Sequence, residues 1–130
     1  MRMAYRNAAV AALAWAVMAQ GSAAQPADGK QDFIDNCSAC HQQTGVGIPG
    51  AYPALAGDRL VQGDPKLVAS TVLHGRGGMP AFKDGLTDAE LARILTYVRN
   101  AWGNKAGPMT PDDFAAARSG PPPPPGLQAH

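Results

Sequence analysis

Two cysteines and a histidine stand close together in this chain of 130 residues, as Cys37-Ser38-Ala39-Cys40-His41. Thiols three residues apart lie on one side of a helical turn, and an imidazole directly after the second thiol lies beside them. This is the spacing by which two thioether bonds attach one haem while the histidine reaches its iron. Because the motif occurs once, we expect one covalently bound haem c and its iron.

The same two thiols have other possible uses. In an exported protein they could form a disulfide, and a thioredoxin-like redox pair has the same spacing. The redox pair would need a strand before the motif and a parallel sheet after it, whereas a zinc site would need two further Cys or His ligands. The flanking sequence predicts neither context, so the disulfide or thiol pair is the main alternative to haem.

The first two dozen residues have the pattern of an export signal. Arg2 and Arg6 precede an apolar run over residues 8–19, and Ser22-Ala23-Ala24 provides the small residues that a signal peptidase recognises. The run is shorter than the roughly 20 residues that a helix needs to cross a bilayer. We therefore expect residues 1–24 to be a cleaved signal peptide that directs the protein to the periplasm, with an uncleaved membrane anchor as the alternative.

The remainder of the chain is small and nearly neutral. Without the two arginines of the signal, nine basic and ten acidic side chains remain. This balance gives no sign of nucleic-acid binding, and we expect no membrane span in the mature chain. A chain of this size forms one domain and buries a limited part of its surface. A bulky apolar cofactor would therefore complete its core.

Helical periodicity and capping residues predict an all-α fold with three main helices. The segments between them, 42–63 and 75–85, are rich in Gly and Pro, and we expect ordered loops that wrap a flat cofactor. Residues 106–130 are poor in apolar side chains and contain Pro121 to Pro125, which predicts an extension that is disordered at its end. The predicted helices are Asp28 to about Ala39, Asp64-Pro65 to near Gly75, and Thr87 to Gly103.

Met79 is the preferred second ligand of the iron. It lies 38 positions after His41 in a Gly-rich loop between two helices, from which it can reach around the edge of a haem. A thioether stabilises ferrous iron and raises the reduction potential relative to two imidazoles. The alternatives are Met109, His74 and His130. We expect His74 to cap its helix or to face solvent, and Met109 and His130 to lie outside the core.

The chain resembles class I cytochromes c, particularly the small bacterial proteins with one haem, over roughly residues 28–102. In that family a glycine and an aromatic residue of the first helix pack against two residues of the last helix, and a methionine loop follows the middle helix. The residues that carry the resemblance are Gly29, Phe33, Ile94, Tyr97, Pro53, Leu55 and the Gly78-Met79-Pro80-Ala81-Phe82 segment.

The resemblance implies a class I cytochrome c fold, with a cytochrome c domain over residues 25–105 and an extension over 106–130. It also implies that the carbonyl of Pro53 accepts a hydrogen bond from the second ring nitrogen of His41, which orients the ring. The mitochondrial-type set of propionate-binding side chains has no counterpart. By residue type, the candidates for that role are Tyr52, Arg59, Arg76 and Trp102.

The expected function is electron transfer through a haem whose two axial positions are both filled. Such a protein is either a free carrier or the cytochrome partner of a periplasmic dehydrogenase or respiratory oxidase. Redox partners would dock transiently at the haem edge. A haem enzyme or a small-ligand sensor with a displaceable sixth ligand are the alternatives.

Overall fold

The computed structural model describes residues 28–124, which fold into helices and loops without a β-strand. The predicted signal peptide, the end of the proline-rich tail and His130 lie outside the described residues. No helix within 28–124 is both long and apolar enough to cross a membrane. The helices are α1 (Gly29–Asn36), α2 (Ser38–His41), α3 (Pro65–His74), α4 (Asp88–Val98) and α5 (Pro111–Ser119).

The first predicted helix is interrupted at the first cysteine. Asp28 caps α1 by accepting a hydrogen bond from the backbone N–H of Lys30. Cys37 then leaves the helical conformation, and the separate turn α2 carries Cys40 and His41. The single helix expected from Asp28 to about Ala39 is therefore wrong in its continuity, because it is broken at Cys37 into two helical pieces. The Ser38 hydroxyl bonds the carbonyl of Ile34, a local bond of the kind that competes with regular helix.

The other two predicted helices form where their capping residues indicate. The Asp64 carboxylate accepts from the N–H of Lys66 at the start of α3. Thr87 and Glu90 form a reciprocal capping box at the start of α4. The hydroxyl of Thr87 donates to the Glu90 carboxylate, and this bond lowers the pKa of Glu90. α4 ends at Val98, earlier than the predicted Gly103, and turns complete the segment.

Helices α1 and α4 cross with very little space between them. A Cβ atom on Gly29 would lie 2.3 Å from the carbonyl oxygen of Arg93, so only glycine fits there. Phe33, which is fully buried, packs its ring 5.7 Å from that of Tyr97. Asp32 and Arg93 add an ion pair of 3.0 Å across the same crossing. The family resemblance predicted that the first helix packs on the last helix of the cytochrome c domain, which is α4 here. The structure confirms this packing.

The long loop after α2 is ordered by two side chains that follow α4. Arg99 is only 3% exposed and donates to the carbonyls of Val61 and Gly63 at 2.7 and 3.0 Å. Asn104 accepts from Gly57 and donates to Leu55. Buried polar groups are stable only when they are hydrogen-bonded. These bonds therefore fix the end of the loop against the C-terminal half of the domain.

The C-terminal extension contributes to the core, which the sequence did not predict. Met109 is 4% exposed and Phe114 is fully buried, and both belong to the main hydrophobic cluster. The Thr96 hydroxyl exchanges hydrogen bonds with the backbone of Met109, which places the extension along α4. The expectation that Met109 lies outside the core is therefore wrong. Helix α5 then packs against both α3 and α4.

Substituting Gly29 with alanine tests how tightly α1 and α4 cross. The added methyl group would overlap the Arg93 carbonyl, so the Gly29→Ala protein should lose about 1–3 kcal/mol of unfolding free energy, as is usual for overpacking. The measurement is urea denaturation of the haem-loaded protein. Gly107→Ala is the control, because a Cβ there meets no atom within 4 Å. Equal stability of the two variants would contradict the close crossing.

Candidate haem site

One apolar cavity lies between the cysteine turn, the long loop and helices α3 and α4. Its lining residues surround about 830 Å³ of empty space, part of which opens to solvent. Four of the predicted site residues line the cavity together: Cys37, His41, Pro53 and Met79. Most of the other lining residues are apolar, including Leu55, Val61, Val68, Phe82, Leu91, Ile94 and Val98.

His41 is held in a single orientation at the wall of this cavity. Its side chain is buried, and Nδ1 lies 3.0 Å from the carbonyl oxygen of Pro53. A carbonyl oxygen can only accept, so Nδ1 carries the proton and Nε2 keeps its lone pair. An imidazole with this tautomer presents Nε2 to a metal, and the bond at Nδ1 raises the basicity of the ring.

The Pro53 carbonyl is placed by a short backbone pairing within the loop. Ile48 and Tyr52 exchange two backbone hydrogen bonds of 2.8 Å, immediately before Pro53. Gly47 lies so close to this turn that a Cβ atom would come within 2.3 Å of the Tyr52 oxygen and 2.5 Å of the Pro53 oxygen. Its φ of 64° is also one that glycine adopts most easily. The position of the acceptor for His41 therefore depends on local loop geometry.

The two thiols lie on one turn, with the first at the cavity wall. The backbone N–H groups of Cys40 and His41 both bond the carbonyl of Cys37. Cys40 is half-buried but is not among the residues that line the cavity. Both thiols are free in the structure. Burial, with a further contribution from Cys40, raises the pKa of the Cys37 thiol to about 11. A reactive redox thiol instead has a lowered pKa, so this environment argues against the thioredoxin-like alternative.

Met79 reaches the cavity from a loop that is closed on itself. Arg76 and Met79 exchange backbone hydrogen bonds of 3.3 and 2.8 Å. Gly75 allows the chain to fold back, because a Cβ there would lie 2.6 Å from the Met79 oxygen. After the methionine, the N–H of Phe82 bonds the carbonyl of Val72 in α3 at 3.1 Å. The loop is therefore closed on itself before Met79 and attached to α3 after it.

Two residues of the cavity wall carry polar atoms that need a partner. Arg76 Nε and Thr71 Oγ1 are buried and form no hydrogen bond within the described residues. Such atoms are costly unless a ligand or water satisfies them. A haem fits this pattern, because it is largely apolar but carries carboxylates that accept hydrogen bonds. Two thiols, one oriented imidazole and one thioether complete the set of groups that a c-type haem requires.

The other predicted candidates lie elsewhere. Tyr52 and Arg59 are exposed, and the indole Nε1 of Trp102 donates to the carbonyl of Gln43 at 3.0 Å. None of the three lines the cavity. His74 Nδ1 lies 2.9 Å from the Ser70 carbonyl in its own helix, as expected for a C-terminal cap. Met109 is buried beside α4, away from the cavity lining.

The sequence singled out Arg76 only by residue type and did not single out Thr71. Residue type alone does not distinguish Arg76 from Arg59 as a haem neighbour. The distinguishing signal is its place three residues before Met79, in a loop whose ends pair. Thr71 follows from helical periodicity, because it lies on the α3 face that also carries Val68 and Val72, two residues of the cavity wall.

The chain is similar to several known proteins. The sequence model of the family described as "Cytochrome C oxidase, cbb3-type, subunit III" matches residues 24–98. The chain is 32% identical over 104 residues to the cytochrome c subunit of the quinone alcohol dehydrogenase of Gluconobacter oxydans (strain 621H), an alignment that covers 70% of this chain and 22% of that protein.

Two further relatives differ in length. The cbb3-type cytochrome c oxidase subunit CcoP of Azospirillum brasilense is 36% identical over 90 residues, which cover 64% of this chain and 30% of the relative. Cytochrome c6 of Diacronema lutheri is 31% identical over 80 residues, 59% of this chain and 96% of the relative. The chain thus spans less than a third of the two complex subunits and nearly all of cytochrome c6. Because the family match covers more than half of its length, the chain belongs to the family of class I, single-haem cytochromes c.

Proposed function

We propose that this protein transfers single electrons through a haem c held by Cys37 and Cys40, with His41 and Met79 as the axial iron ligands. The observation that carries the proposal is the shared cavity, which is lined by an imidazole with a fixed tautomer and by the thioether of a closed loop. Filling both axial positions leaves no open site for a substrate. The protein would therefore pass electrons rather than transform a bound molecule.

The residues around the cavity favour rapid and reversible electron transfer. When bound, the haem supplies an iron that changes its oxidation state by one electron. The chain keeps the ligands in place in both states, because His41 is hydrogen-bonded to Pro53 and the Met79 loop is attached to α3. The apolar lining limits contact between the haem and water, which together with a thioether ligand favours the ferrous state and a higher potential.

Redox proteins are the proposed partners. Two relatives are named as cytochrome subunits of an alcohol dehydrogenase and of an oxidase, and a third as cytochrome c6. By analogy, this chain would exchange electrons with a dehydrogenase or an oxidase, as a free carrier or as a subunit. Gly77, Gly78 and Ala81 beside Met79 are exposed, as are the apolar side chains of Val46 and Ile48 after the cysteine turn. Such a surface suits a small, transient contact.

The proposed location is the periplasm. Residues 1–24 have the sequence pattern of a signal peptide. Covalent attachment also suits an exported protein, because a haem that is lost outside the cell is not readily recaptured.

Replacing Met79 tests the axial ligand directly. Met79→Ala should abolish the near-infrared absorption band that marks thioether ligation of ferric haem, and should allow rapid binding of cyanide. The measurement is absorption spectroscopy of the purified, haem-loaded protein. Met109→Leu is the matched control, because it removes the other methionine of the described residues with little change in volume.

Two results would contradict the proposal. An unchanged band in Met79→Ala would show that another residue binds the iron. Rapid cyanide or carbon monoxide binding by the wild-type protein would instead indicate an open or displaceable position, as in a haem enzyme or a ligand sensor.

Replacing Arg76 tests how the cavity holds the charged edge of the haem. We expect Arg76→Gln to lower the reduction potential, because losing a cation near a propionate stabilises the oxidised form. The shift should be tens of millivolts, given that about 59 mV corresponds to a tenfold change in a one-electron equilibrium. Redox titration measures it. Arg59→Gln is the control, since Arg59 is exposed and does not line the cavity. Equal potentials in both variants would exclude Arg76 from this role.

A further inference from the structure

One arginine near the end of α5 binds three groups on a single short segment. Arg118 Nε donates to the carboxylate of Asp88 at 2.6 Å, and Nη2 donates to the carbonyl of Leu86 at 2.9 Å. Nη1 donates to the carbonyl of Lys83. The three acceptors lie within six residues of the chain. The guanidinium therefore fastens the C-terminal helix to the segment between the methionine loop and α4.

This segment is the exit of the loop that carries Met79. The N–H groups of Phe82 and Lys83 bond the carbonyls of Val72 and Leu73 in α3. A turn follows, in which Leu86 N–H bonds the Phe82 carbonyl at 3.2 Å. Phe82 itself lines the haem cavity. Movement of this turn would therefore displace Phe82 at the cavity wall and, three residues earlier, Met79.

Helix α5, which carries Arg118, is itself held in place by the core. Phe114 is fully buried in the core, and α5 packs against α3 and α4. The Asp113 carboxylate accepts from the N–H and hydroxyl of Thr110 at the start of the helix. Arg118 lies in the last turn, where a cation is also favoured by the helix dipole. The arginine thus connects a buried element to an exposed turn.

We propose that Arg118 is a positioning residue for the sixth iron ligand. By holding the turn from Lys83 to Leu86, it keeps the methionine loop closed and prevents external ligands from displacing Met79. This inference rests on the proposed function, because it requires Met79 to bind the iron. The rigid, planar fork of a guanidinium reaches two carbonyls and a carboxylate at once, whereas a lysine ammonium is a single point charge. Arginine is therefore the residue that this role requires.

The test measures how often the loop opens in the haem-loaded protein. Cyanide is added to the ferric protein, and its binding rate is followed together with the near-infrared thioether band. In Arg118→Ala the rate should rise about tenfold or more, since losing one charge-assisted hydrogen bond changes an equilibrium by roughly that factor. Arg118→Lys keeps the charge and should also bind cyanide faster than the wild type.

A matched control removes a cation elsewhere. Lys66 is exposed on α3, so Lys66→Ala changes the net charge by the same amount and should leave cyanide binding unchanged. Urea unfolding followed by circular dichroism shows whether a variant has lost its global fold. If Arg118→Ala fails to fold, the cyanide-binding rate of Arg118→Lys alone tests the role of Arg118.

The outcomes separate this inference from the proposed function. A wild-type protein without the thioether band would overturn both. If the wild-type protein shows the thioether band, and both Arg118→Ala and Arg118→Lys bind cyanide at the same rate as the wild type, only the role of Arg118 is overturned. Faster cyanide binding in both variants, with a folded protein and an unaffected Lys66→Ala control, is the result that supports it.

Discussion

The hydrogen bond between His41 and the carbonyl of Pro53 joins the two parts of the chain that must meet around the cofactor. His41 belongs to the cysteine turn, and Pro53 lies in the long loop that follows it. The bond decides which ring nitrogen faces the cavity. It forms only because the Ile48–Tyr52 pairing and the close approach of Gly47 place the Pro53 carbonyl there. Contacts from the C-terminal part of the chain stabilise the loops that carry this bond.

Long-range polar contacts supply that support. Arg99 and Asn104, which follow α4, bind carbonyl groups near the end of the first loop. Arg118, near the end of α5, binds the exit of the second loop. Both loops that surround the cavity are thus attached to the C-terminal part of the chain. In a small domain, where the apolar core is limited, the cofactor and these contacts together make the loops ordered.

Features set by neighbouring residues could be predicted from the sequence. Asp64-Pro65 and the Thr87–Glu90 box identify two helix starts, because capping depends on residues within one turn. The cysteine motif and Met79 were recognisable because their chemistry follows from residue type and spacing. The hydrogen bond at Pro53 came from the family resemblance alone, since a loop proline has no local signal for that role.

The features that the sequence did not reveal depend on distant contacts. Cys37 breaks the first helix at the start of the attachment turn, although the periodicity there favours one helix. Helix α5 has one large apolar side chain, Phe114. The extension reaches the core because Phe114 and Met109 meet elements far away in the chain. Arg99 and Arg118 look like ordinary surface charges until their carbonyl partners are known.

The proposed electron transfer depends on Met79 and His41 occupying the two axial positions of one haem. Proton NMR of the reduced protein with isotope-labelled methionine methyl groups tests it most directly, because the haem ring current shifts the resonances of a ligating methionine strongly upfield. If Met79 binds the iron, one such methyl signal is expected, which disappears in Met79→Ala and stays in Met109→Leu. A spectrum without a shifted methionine methyl, or one whose shifted signal belongs to Met109, would contradict it.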